Sequence, residues 1–237
     1  MANSTETLAV QRALLMPEVL SAIFKWIHED NASFWYAKDG HRDTHYRYGR
    51  EGVLVRCGLV NRLWFKEAMR CLWMEPNVGF FRQCNLPALF AKINPSRRQF
   101  YADFIKKAVL VTISDSRDPD SPLCAVIFPK LEALKLVLDG YCDGFYVPKV
   151  NCPKLTNLEI DPPYESEPEE SFGITRDEMD IILDQIPNVF PSLEYISFLN
   201  CVKINSGALK HLAERLPHFK DLDESEVRTS TEDDSDG

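Results

Sequence analysis

Four short segments of this chain share one pattern, and that pattern restricts the fold more than any single residue does. FPKLEALKLVL begins at Phe128, CPKLTNLEI at Cys152, FPSLEYISF at Phe190 and a degenerate LPHFKDLD at Leu216. Each opens on Pro-x-Leu/Phe and continues with apolar residues at the spacing L-x-x-L-x-L. The prolines, at 129, 153, 191 and 217, lie 24, 38 and 26 residues apart. Recurrence at such intervals marks a stacked repeat. A strand–turn–helix unit cannot bury its own apolar face, so it stacks on a copy of itself.

The connecting segments fit this reading. AVLVTIS (108–114) is short and β-branched and predicts a buried strand ahead of the first copy. The longest interval holds an acidic insertion at 161–171 and then the helix ITRDEMDIILDQI, for which Thr175 and Glu178 make a capping box. INSGALKHLAERL predicts an amphipathic helix with Ile204, Leu209, Leu212 and Leu216 inward and Asn205 or Ser206 as its cap. DESEVRTSTEDDSDG, closing the chain, has almost no apolar residues, so 224–237 is expected to be a disordered acidic tail.

The amino-terminal part has a different character. In LLMPEVLSAIFKWI, Pro17 suits a first helical turn, where its missing N–H costs nothing. At 100° per residue Met16, Val19, Leu20, Ile23, Phe24, Trp26 and Ile27 fall within an arc of about 160°. A single surface stripe needs only about 100° or slightly more. The polar, aromatic stretch 28–52 shows no clear period and predicts a loop. Apolar residues then recur at threes and fours over 53–76, as one helix or as two short ones meeting at Gly58. Two short helices around Asn94-Pro95 are expected to form a helical linker over 81–107.

Composition excludes several functions. A net charge of −9 argues against nucleic acid as the main partner, because neutralising phosphates needs clustered Lys and Arg. Residues 42–70 lean basic, while 159–180 and 221–237 are strongly acidic. Seven cysteines, scattered and never in a CxxC pair, suit reduced thiols of a cytoplasmic or nuclear protein. No apolar run reaches the roughly 20 residues of a membrane span, so no membrane partner is expected. There is no Gly-rich phosphate loop, no GxSxG and no Cys–His pairing at a family spacing. The chain is therefore not expected to be an enzyme, and no catalytic residue, metal site or cofactor is assigned. His41 and His45 have the spacing of a helical metal pair, but turn residues surround them and the Glu of HExxH is absent.

The segment FPSLEYISFLNCVKINSGALKHLAERLPHF resembles a cysteine-containing leucine-rich repeat, with Asn200 and Cys201 at its turn. MPEVLSAIFKWI resembles the start of an F-box, L-P-x-E-[VI]-L-x-x-I-[FL], with Met16 in the leucine's place. LVRCGLVNRLWFKEAMRCLW resembles the second half, C-x-L-V-N/C-[KR]-x-W leading to a terminal L-W. The first likeness covers about 128–222 and the second about 12–76. Together they are most similar to the F-box proteins with leucine-rich repeats that are numerous in fungi. The two F-box blocks normally stand several residues apart. Here some twenty-five intervene: a tolerated surface insertion, a contact for another partner, or a retained intron.

The resemblance implies an α+β chain: a helical F-box domain over 1–80 with an inserted loop at 28–52, then a short α/β leucine-rich-repeat solenoid over 108–223. It also implies a substrate-recognition adaptor of a Skp–cullin–F-box ubiquitin ligase. By motif position, contact with the Skp-type adaptor falls to Met16, Pro17, Leu20, Ile23, Phe24, Leu59, Val60, Trp64 and Trp73. Each has a rival role in the core of the helical domain, Trp64 and Ile23 above all. Strand alternation puts Glu132, Ala133, Lys135, Thr156, Asn157, Glu159, Glu194, Tyr195 and Ser197 on one sheet face, as candidates for contact with a protein substrate. Their plain alternative is that of solvated strand positions. Two other functions stay open: an F-box scaffold outside degradation, and a repeat-based interaction module with an accidental F-box likeness.

Overall fold

A computed structural model describes residues 11–36, 47–76, 86–112, 121–138, 146–162, 174–199, 202–223 and 227–230. The chain divides into two compact units, Met1–Glu75 and Pro76–Gly237. It is mixed α and β, with the helices of the first unit preceding a second unit built on a parallel sheet.

The first unit includes α1 (Pro17–Tyr36), α2 (Arg47–Gly58) and α3 (Arg62–Trp73). Pro17 occupies the first position of α1, as its fixed φ favours. Asn61 caps α3, its side chain accepting from the Trp64 N–H at 3.0 Å. The break at Gly58 is real, so the apolar stretch 53–76 forms parts of two helices rather than one. The loop expected at 28–52 is shorter than that. Residues 28–36 continue α1 and 47–52 begin α2, while 37–46, including His41 and His45, lie outside the described residues. Local polarity misled here, because a helix that is already nucleated extends at little cost per residue.

Two contacts orient α1 on α3. The Trp64 indole donates from Nε1 to the carbonyl of Leu14 at 3.1 Å, and Arg70 bonds the Ser21 hydroxyl. Leu20, Phe24, Leu54, Ala68, Met69 and Cys71 form the core of this unit.

In the second unit, α4 (Leu86–Ala91) and α5 (Pro95–Ala102) precede β1 (Lys107–Thr112). The stretch expected as a linker is part of the domain. Leu86, Phe90, Ala102, Phe104 and Ile105 are buried, and the Phe90 ring lies 5.5 Å from that of Phe128. Burial of aromatic and aliphatic side chains holds these helices in place.

Then come β2 (Ala133–Leu138), β3 (Asn157–Asp161), α6 (Arg176–Val189), β4 (Tyr195–Phe198), β5 (Val202–Asn205), α7 (Ser206–Arg215), β6 (Asp221–Asp223) and β7 (Val227–Ser230). The main sheet is entirely parallel, in the order β1-β2-β3-β4-β6, and β5 pairs with β7 in a second parallel pair. Part of the expected disordered tail is therefore a strand, because β5 offers its backbone groups to 227–230. Residues 224–226 and 231–237 lie outside the described set.

Each repeat folds alike. Leu131, Leu155, Leu193 and Phe219 donate backbone N–H to the carbonyl three residues earlier, closing a turn around Pro129, Pro153, Pro191 and Pro217. A strand starts four residues after each proline. Ala133, Asn157, Tyr195 and Asp221 consequently pair in one row across the sheet. The L-x-x-L-x-L residues, Leu131, Leu134, Leu136, Leu155, Leu158, Ile160, Leu193, Ile196 and Phe198, are all buried. Both caps form as the sequence predicts: Thr175 and Glu178 make the capping box of α6, and Asn205 caps α7. Asn200, Cys201 and most of the acidic insertion at 161–171 lie outside the described residues.

Candidate functional site

Each unit carries one candidate surface. On α1 the broad apolar arc divides in two. Leu20 and Phe24, at 0% and 1% exposure, lie on one half, where Phe24 meets Trp64 of α3. Trp26, Ile23 and Met16, at 66%, 36% and 50%, lie on the other half and remain open to solvent. At 100° per residue the exposed three fall within about 80° of one another. The turn between α2 and α3 adds Leu59, 80% exposed, and Val60, also exposed. Because Leu14 touches Trp64, three residues beyond the Asn61 cap, Leu15, Met16, Leu59 and Val60 share one end of the unit. Isolated exposed apolar residues are ordinary, and this group is the candidate surface of the first unit.

The nine residues assigned to adaptor contact therefore part company. Met16, Pro17, Ile23, Leu59 and Val60 are exposed. Leu20 and Phe24 are core and do not belong to an outer surface. Trp64, half-buried, meets Phe24 edge to face and bonds the Leu14 carbonyl. Trp73 is half-buried near the end of α3. Leu15 and Trp26 are also exposed but were not among the nine. Trp26 was visible in the sequence through its place in the apolar arc, though it lies outside the F-box spacing.

The second surface is the more polar face of the main sheet. A groove of about 390 Å³ is lined by Lys107, Ala133, Asn157 and Tyr195 in one row and by Val109, Lys135, Glu159 and Ser197 in the next. Six of the nine residues assigned to substrate contact line it: Ala133, Lys135, Asn157, Glu159, Tyr195 and Ser197. Glu132, Thr156 and Glu194 precede those strands and stack as a rung at their start, each donating its backbone N–H to the carbonyl of the unit before.

Charges on this face are mostly paired. The Lys135 ammonium, 14% exposed, lies 2.8 Å from Asp161 and 3.5 Å from Glu159. Lys106 is 3.8 Å from Glu132. Lys220 bonds Glu194, which holds its ammonium pKa above the ordinary lysine value, and its Nζ also stands 5.5 Å from the centre of the Tyr195 ring. Among the described residues no three His, Cys, Asp or Glu side chains converge as metal ligands, and no helix is long and apolar enough to cross a membrane. The described thiols of Cys57, Cys71, Cys124 and Cys152 are unbridged. Burial pushes the Cys152 thiol up to about 12.

Such a surface can hold an extended chain by hydrogen bonds and charge, and the helical end can seat an apolar partner. Comparison of the chain with protein-family models, curated proteins and solved structures finds no match.

Proposed function

We propose that the chain is a substrate-recognition adaptor of the Skp–cullin–F-box type. In this reading the amino-terminal helical unit docks on the Skp-type adaptor, and the sheet unit is a short leucine-rich-repeat solenoid that captures a protein substrate. The observation that carries it is the division of the α1 arc: Leu20 and Phe24 fill the unit's own core while Met16, Ile23 and Trp26 stay outside it. A helix that keeps half of a wide apolar face in water has that half left over for a second protein, laid into a groove. Leu59 and Val60 extend the same surface, and fully burying each such side chain contributes about 1.5–3 kcal/mol before association costs. Strand order that follows the chain, with one in-register strand per repeat, supports the solenoid reading.

The test is capture of a purified Skp-type adaptor by the full-length chain. Binding that is lost in Met16→Asp and Ile23→Asp, with the helical content unchanged, supports the proposal. Absence of binding by the unaltered chain removes the F-box half and leaves a repeat-based interaction module.

A further inference from the structure

We propose that the β3–β4 half of the sheet groove receives a basic side chain, arginine in preference to lysine, from an extended segment of the captured protein. This rests on the reading that the sheet face binds a protein, and it adds the chemistry of what is bound.

Four groups converge there. Asn157 pairs with Tyr195 and Glu159 with Ser197 across adjacent strands, and all four line the groove. Glu159 is the more open of the two carboxylates that share Lys135, 39% exposed against 14% for Asp161. Around β3 one ammonium faces two carboxylates, while Lys107, the other lysine of the groove, stands on β1 at the far edge of the sheet. Asp161 holds the closer contact, so Glu159 keeps acceptor sites for another donor. Tyr195 lies diagonally from Glu159, within reach of a long side chain, at roughly 7–8 Å between such positions. Lys220 Nζ stands 5.5 Å from the centre of its ring, with its charge met by Glu194, so the ring tolerates a cation beside it.

An arginine fits this set better than any other side chain. Its planar fork can bond Glu159 while its face lies on an aromatic ring, and Asn157 and Ser197 can accept the remaining N–H groups. Strands are about 4.8 Å apart and an extended peptide advances about 3.3 Å per residue, so three or four residues cross from β2 to β4. An acidic segment fits worse. Lys135, the cation at the groove's centre, is taken by two carboxylates, and the incoming charge would meet Glu159.

The full-length chain is to be panned against four pools of random octapeptides whose central residue is fixed as Arg, Lys, Gln or Glu. The Arg pool should be retained most and the Lys pool next, both above Gln and Glu. Glu159→Gln should lower the Arg-to-Gln ratio about tenfold, as loss of a charge-assisted hydrogen bond implies, while Glu214→Gln on α7 leaves it unchanged. Asp161 keeps Lys135 partnered in Glu159→Gln, and circular dichroism checks that the variant folds. Tyr195→Leu, a second variant, should lower the ratio severalfold. Retention of the Glu pool above the Arg pool, retention of no pool, or ratios unmoved by both variants would overturn the inference. Adaptor capture by the same preparation reads the proposed function separately: it can persist when arginine selection fails, and fail when selection persists.

Discussion

Phe24 and Trp64 meet edge to face, with ring centres 5.6 Å apart and planes at 75°. That contact ties the middle of α1 to the start of α3, and it decides which half of the α1 arc is core. Phe24 lies wholly inside, Trp64 anchors the Leu14 carbonyl, and Ile23, next to Phe24 in the chain, is turned outward.

The two halves of the arc should respond differently to substitution. Phe24→Ala removes a fully buried ring and should cost about 3–5 kcal/mol, and Leu20→Ala about 2–5 kcal/mol. Met16→Ala, Trp26→Ala and Leu59→Ala should each stay within about 0.5 kcal/mol of the parent, because they lose no buried contact. Urea denaturation followed through the helical signal measures both groups. Equal losses for Met16→Ala and Leu20→Ala would show that the arc is not divided.

Lys135 is the keystone of the polar sheet face. Lys135→Met removes the ammonium that lies 2.8 Å from Asp161 and 3.5 Å from Glu159 and should destabilise the second unit by about 1–3 kcal/mol. Lys135→Arg should lose less, since it retains the charge. Thermal melting of both variants at low and high salt is the check. The loss in Lys135→Met should shrink as salt screens the two carboxylates.

Thr175→Ala removes the hydroxyl that accepts from the Glu178 N–H and breaks the capping box of α6. The expected cost is about 1 kcal/mol, within the range for such caps. Thr175→Asp should recover most of it, because a carboxylate also accepts at that position and suits a helix amino-terminus. Denaturant midpoints of the three proteins test this order.

Cys152 should be slow to alkylate in the folded protein and Cys124, which is exposed, should react at once. Burial raises the Cys152 pKa from 9.0 to about 12, so the folded state holds its proton where the unfolded state releases it. That contribution to stability is complete below pH 9.0 and declines as the pH rises towards 12. Mass spectrometry of iodoacetamide-treated protein identifies the modified thiols. Denaturant midpoints between pH 8 and 10.5 should fall less in Cys152→Ala than in the parent.

Much of the second unit was legible in the sequence because its signals are short-range and repeated. The Pro-x-Leu starts set the turns, the turns set where each strand begins, and equal offsets from proline put equivalent residues in one row. Hence Lys135 beside Glu159, and Asn157 beside Tyr195, follow from the repeat alone. Thr175 and Asn205 announced their helix starts through bonds that span three residues or fewer, and Pro17 through its fixed φ. The loop at 28–52 and the tail at 224–237 were misjudged in part, because polar composition says little when a preceding helix continues or a neighbouring strand such as β5 supplies pairing.

The division of labour on α1 lay beyond the sequence. Periodicity placed Met16, Leu20, Ile23, Phe24 and Trp26 on one wide face, and the F-box spacing treated Leu20 and Ile23 alike. Which of them is covered depends on where α3 lies against that face, and the contacts of Leu14 with Trp64 and Ser21 with Arg70 settle it across some fifty residues of chain. A hydrophobic pattern records that a side chain prefers to leave water; the packing of distant elements determines whether it has done so.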